Sequence, residues 1–205
     1  MNTNQIGFLL RASTSGCIAG CRVTSLELPQ LGGMVIMHPS QDLQIFGLIY
    51  DLHIDDDGLV RQLVTTENIR PEVIADNRNN RTVPVEISIV FCGYQHHDQV
   101  FHLLPPRPPL TLDEVYICDD QQLCTFTAAA RFGYFRHLLR GQDYPVAEIL
   151  ASHLKLAAQA HEIHHNPNWI NAAIQELIVL LRDDYSTLMN VLGALADAKL
   201  TQEAS

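Results

Sequence analysis

Basic residues are scarce in this chain: 13 lysines and arginines stand against 23 aspartates and glutamates, for a formal charge of −10. No basic stripe relieves that acidity. A surface of this sign repels a phosphate backbone, so the sequence does not predict a primary nucleic-acid reader. Long apolar runs are lacking too. None approaches the ~20 residues that span a bilayer as a helix, which predicts no membrane insertion. The start, Met1-Asn2-Thr3-Asn4-Gln5, has no basic region, and Arg11 interrupts the short apolar run Ile6–Leu10. The expectation is no secretory leader and a cytoplasmic protein. Five cysteines, Cys17, Cys21, Cys92, Cys118 and Cys124, form no Cys-x-x-Cys pair and are odd in number. They predict buried thiols rather than a disulfide framework. There is no G-x-x-x-x-G-K-[ST] loop, no G-x-G-x-x-G and no G-x-S-x-G elbow, so phosphate cradling and serine hydrolase chemistry have no carrier motif. No cofactor is expected.

What the chain does have is a proline seam, Leu103-Leu104-Pro105-Pro106-Arg107-Pro108-Pro109-Leu110. Each proline fixes φ and lacks an N–H, so the seam fits neither a helix interior nor a central strand. Before it, short strands alternate with turn chemistry. The candidates are Ile6–Ser13, Cys17–Val23, Met34–Met37 (stopped by His38-Pro39-Ser40), Leu43–His53 with Gly47 as a bulge or bend, and Leu59–Thr65 after the Asp55-Asp56-Asp57-Gly58 turn. Residues 66–82 read as a polar loop. Val83–Tyr94 alternates most clearly, with Val83, Val85, Ile87, Ile89 and Phe91 on one face, and Val115–Cys118 follows the seam. Short strands at this spacing predict a small antiparallel barrel or sandwich, and closure removes exposed edges. After about Ala128 the period becomes helical. The expected helices are Arg131–Arg140, one from Pro145 to about His165, Trp169–Leu181, and then either a further turn onward from Tyr185 to Leu200 capped by Asp183 or Asp184 or a simple continuation of the preceding helix.

Three motifs carry candidate chemistry. His161-Glu162-Ile163-His164-His165 matches H-E-x-x-H, in which His161 and His165 on one helix face would hold zinc and Glu162 would act as general base. The extended form fails, because Asn168 and Asn171 stand where glycine and a third histidine are needed. A histidine-rich helix end suits the negative end of the helix dipole equally well. His96-His97-Asp98 with His102 reads as a hairpin tip rather than a metal site, and the aspartate run lacks calcium-loop spacing. Tyr134, Phe135 and Trp169 lie on helices; they are packing anchors or, if exposed, candidate partner contacts.

Ile6-Gly7-Phe8-Leu9-Leu10, Ile45-Phe46-Gly47-Leu48-Ile49 and the Pro-Pro-Arg-Pro-Pro run before Val115-Tyr116 resemble the HAS barrel, the small β-barrel shared by HerA-type DNA translocases and ATP synthase head subunits. The resemblance covers roughly residues 5–120. In those ATPases the barrel precedes a RecA-like motor, for which this sequence has no counterpart. What it implies is therefore a crown, docking or oligomerisation module, not ATP hydrolysis. It also places the proline seam inside the barrel, before the closing strand.

The expectation is thus an α+β protein, with a small antiparallel β-barrel over residues 1–127 and a helical appendage of about three helices over 128–205. The leading function is a non-catalytic binding or assembly module with a protein partner, such as a DNA-processing ATPase or nuclease supplied in trans, or with copies of itself. A zinc hydrolase using His161, Glu162 and His165 is the competing reading, and a ligand-binding barrel is the third.

Overall fold

In the computed structural model, residues 4–23, 29–54, 65–66, 69–73 and 83–201 are described. The aspartate turn at 55–58, most of the strand expected at 59–65 and nearly all of the loop at 66–82 lie outside them. Seven strands come first: β1 (Gln5–Ala12), β2 (Gly16–Val23), β3 (Met34–Ser40), β4 (Leu43–Ile54), β5 (Val83–His96), β6 (Gln99–Phe101) and β7 (Glu114–Ile117). Six of them close on themselves in the order β1-β2-β5-β4-β3-β7 and back to β1, every pair antiparallel. β6 extends the far end of β5 as a hairpin. The barrel and the α+β class follow as expected. The seam lies between β6 and β7, and β7 is the strand that seals the barrel between β1 and β3.

Alternation fills the interior. Leu9, Ala19, Val35, Met37, Ile45, Ile49, Val85, Ile87, Ile89, Phe91 and Val115 point inward and pack together. With the lumen occupied by side chains, the barrel is a packed core, and the expectation of a ligand inside it is set aside. Gly47 sits opposite a register shift in the β4–β5 ladder, and a Cβ there would run into the Ile89 side chain. β3 continues through His38-Pro39 rather than stopping, because the β3–β4 register shifts between Met37 and Ser40 and spares the proline a ladder bond.

β3 and β4 are apolar on both faces, and the reason lies outside the barrel. Met34, Ile36, Phe46, Leu48 and Cys92 face outward and merge into a second core with the helices. Those helices are α1 (Asp120–Ala128), a 3₁₀ turn (Ala130–Phe132), α2 (Phe135–Leu138), α3 (Val146–Ile163), α4 (Trp169–Leu180) and α5 (Tyr185–Asp197). The hydrophobic period of the sequence does not predict α1. Its start is a capping box: the Asp119 carboxylate accepts from the Gln122 N–H while the Gln122 side chain accepts from the Asp119 N–H. Phe126 of α1 stacks on Phe46 of the barrel wall, centroids 4.5 Å apart. The helix expected over Arg131–Arg140 is broken. Ala130, Arg131 and Phe132 all adopt left-handed φ (45°, 49° and 56°), so only the four residues of α2 remain α-helical there.

Candidate functional site

Three buried histidines tie the helices to one another and to the barrel. His153 of α3 donates Nδ1–H to the Gly32 carbonyl (3.3 Å), which leaves Nε2 to accept the Tyr134 hydroxyl (3.0 Å). Gly32 permits this approach. It has φ +77°, and a Cβ there would lie 2.6 Å from the His153 backbone nitrogen. The Thr127 hydroxyl donates to the Leu123 carbonyl (2.7 Å), so its remaining contact is acceptance from His161 Nε2–H (2.8 Å). His102 Nε2–H donates to the Phe126 carbonyl (3.0 Å), and its Nδ1 is buried without a partner. Arg136 and His137 both donate to the His102 carbonyl. All three rings are held neutral. Burial lowers His153 and His161 to about 4 and lowers His102 as well.

These contacts decide the H-E-x-x-H motif. α3 ends in a Schellman motif, with Asn166 N–H donating to the His161 carbonyl (2.8 Å) and His165 N–H to the Glu162 carbonyl (3.1 Å). His165 is thereby turned to φ +60°, outside the helix and exposed. His161 is buried, stacked on Trp169 with centroids 4.4 Å apart, and its Nε2 is engaged by Thr127. The helical i,i+4 pair that zinc would need does not form, and Glu162 points from the exposed side of the same turn. Among the described residues no three His, Cys, Asp or Glu side chains gather in a way that could hold a metal ion.

The aromatic partner contacts are corrected as well. Tyr134 and Phe135 are fully buried and Trp169 is 4% exposed. Tyr134 stacks edge-on with His153, Phe132 stacks on Phe135, and the Trp169 indole N–H reaches the Thr127 carbonyl (3.4 Å). These side chains are spent inside the molecule and present nothing to a partner. His96 and His97 stand exposed at the β5–β6 hairpin, with His97 3.6 Å from Asp42. Burial raises the Cys17, Cys92 and Cys118 thiols, which makes them poor nucleophiles.

The surface that sequence reasoning missed is the outer wall of β1. Leu9 points inward, so Phe8 and Leu10 point out, at 46% and 47% exposure. The segment after the seam runs along the same strand. Leu112 N–H donates to the Leu9 carbonyl and Leu9 N–H to the Asp113 carbonyl, both 2.9 Å. The Asp113 carboxylate accepts from the Leu110 N–H (2.8 Å) and Leu112 takes φ +70°, which fixes the loop. Leu110 and Leu112 are left 72% and 75% exposed beside Phe8 and Leu10. Four large apolar side chains on a backbone this well tied form a platform of the kind that meets another protein. The signal in the sequence was the unbroken apolar run Phe8-Leu9-Leu10, which puts apolar side chains on both faces of β1.

Compared with known proteins, the sequence matches no family model and no curated protein.

Proposed function

We propose that the chain is a non-catalytic binding and assembly module that docks a protein partner on the β1 platform. The observation that carries this reading is the ordered apolar set Phe8, Leu10, Leu110 and Leu112, exposed on a closed barrel that has no free reason to leave them in water. The acidity of the rest of the chain favours a partner whose contact surface is apolar at the centre and basic at the rim. The HAS-barrel resemblance supports a DNA-processing ATPase or nuclease in trans as that partner, with self-assembly through the same wall as the simplest variant.

The test is sedimentation velocity of the full chain, alone and co-expressed with its native neighbours, beside Leu110→Asp/Leu112→Asp. Both positions are exposed, so the variant should fold. The expected result is a wild-type complex that crosslinks through β1 and the 110–112 loop and is lost in the variant. A strictly monomeric chain that holds no partner, or a complex indifferent to the variant, removes the proposal.

A further inference from the structure

At the end of β1, a cleft of about 550 Å³ opens between the β1–β2 turn and the loop joining α2 to α3. Its floor is barrel wall, from Gly16–Ile18 and Ile89–Phe91. Its rim is cationic. Arg11 comes from the end of β1 and Arg140 from the helical side, beside a neutral His137, against the single lining carboxylate of Asp143. In a chain with 13 basic residues and a charge of −10, this convergence is against the trend of the whole surface. Arg140 forms no ion pair among the described residues. Among the described residues Arg11 pairs with Glu86 alone, at 3.9 Å, a pair too exposed and too long to neutralise it. Mutual repulsion is felt at the site: Arg136 and Arg140 add to burial in lowering His137.

The second wall is aromatic and firmly built. Tyr144 packs against Tyr50 of β4, centroids 4.7 Å apart and planes 30° apart, and its hydroxyl donates to the Leu138 carbonyl (3.2 Å). The Tyr144 ring lies over Gly141, where a Cβ would overlap it. The loop that follows Arg140 is therefore fixed by its own tyrosine. Ser13 and Ser15 offer hydroxyls at the opposite lip.

From these groups we infer that the cleft binds a small ring-bearing phosphate ester of the mononucleotide class. The Arg11 and Arg140 guanidinium forks match phosphate oxygens, which they bind bidentately and in any protonation state. Tyr50 and Tyr144 line the cleft with apolar ring atoms against which a ligand's ring can pack, and Asp143 is an acceptor suited to a sugar hydroxyl. The cleft takes Arg11 from the platform's own strand but uses none of its four apolar side chains, and the inference does not rest on partner docking.

The experiment is calorimetric titration of the full chain with adenosine 5′-monophosphate, adenosine and inorganic phosphate, repeated for Arg11→Gln and Arg140→Gln. Both arginines are exposed, and unchanged thermal melts will confirm that the variants fold. The expected result is that the monophosphate binds, that adenosine and bare phosphate bind at least about tenfold more weakly, and that each substitution weakens the monophosphate about tenfold, the loss of one charged hydrogen-bond set. No monophosphate binding at millimolar concentration, equal affinity for adenosine or for bare phosphate, or affinity unchanged in both variants overturns the inference.

Discussion

His153 illustrates how a residue that looks like chemistry can be architecture. Its ring is buried, both nitrogens are engaged in the neutral form, and its folded-state value of about 4 lies below the ordinary 6.5. As pH falls below about 6.5 the unfolded chain takes up a proton that the folded ring refuses. Stability is therefore full above that point and is lost as pH falls toward about 4. Between about pH 7.5 and about pH 5, His153 alone should remove about 2 kcal/mol, and His161 acts in the same direction. Urea unfolding across this range should show a shallower acid limb for His153→Gln than for the wild type. Parallel limbs would mean that the ring is not held neutral. The sequence displayed ten histidines without distinguishing those that face water from those that pin α3. Burial draws that line, and burial is a property of the packed molecule.

The turn Ala130–Phe132 makes the same point for an element. Periodicity predicted one helix across Arg131–Arg140, yet three consecutive residues sit in the left-handed region, each at a cost of about 1–2 kcal/mol. The turn delivers Phe132 onto Phe135 and Trp169, at 5.5 and 5.6 Å, and this packing offsets the strain. Arg131 itself is exposed and contributes no packing. Arg131→Gly should therefore leave stability unchanged or raise it by up to about 1 kcal/mol in chemical denaturation, the reverse of glycine's usual effect. A loss of more than about 1 kcal/mol would sink this reading of the turn. By contrast α4 and α5 match their predicted spans closely. Trp169, Ala173, Ile174 and Leu177 recur at helical spacing, and the Asp184 side chain caps α5 by accepting from the Thr187 N–H (3.1 Å). α1 was legible only in its Asp119–Gln122 box, because a nine-residue helix wedged after a strand has too few turns to show a period.

For the whole molecule, two cores share one wall. The inner faces of the strands fill the barrel, while Met34, Ile36, Phe46, Leu48 and Cys92 on its outside complete the core of the helices. A chain ended at Thr127 would keep every described strand but bare most of that wall to water. It should be insoluble or bind a hydrophobic dye strongly, and the full chain should unfold in a single calorimetric transition. A soluble, well-melting fragment ending at Thr127 would show that the helices are an appendage in energy as well as in sequence.

Local rules suffice for part of this protein. Alternation in β5, the proline seam, the caps of α1 and α5 and the acid excess can be read residue by residue, because each depends on neighbours a few positions away. They place strands, turns and helices, and hence the α+β class. Tertiary structure alone decided that His161 is a core residue and His165 a left-handed cap, since one Schellman turn separates them. It also buried Tyr134, Phe135 and Trp169, and left Phe8, Leu10, Leu110 and Leu112 outside. The second apolar face of a strand is identical in sequence whether helices cover it, as on β3 and β4, or none of the described residues does, as on β1. Only the path of residues far along the chain determines which.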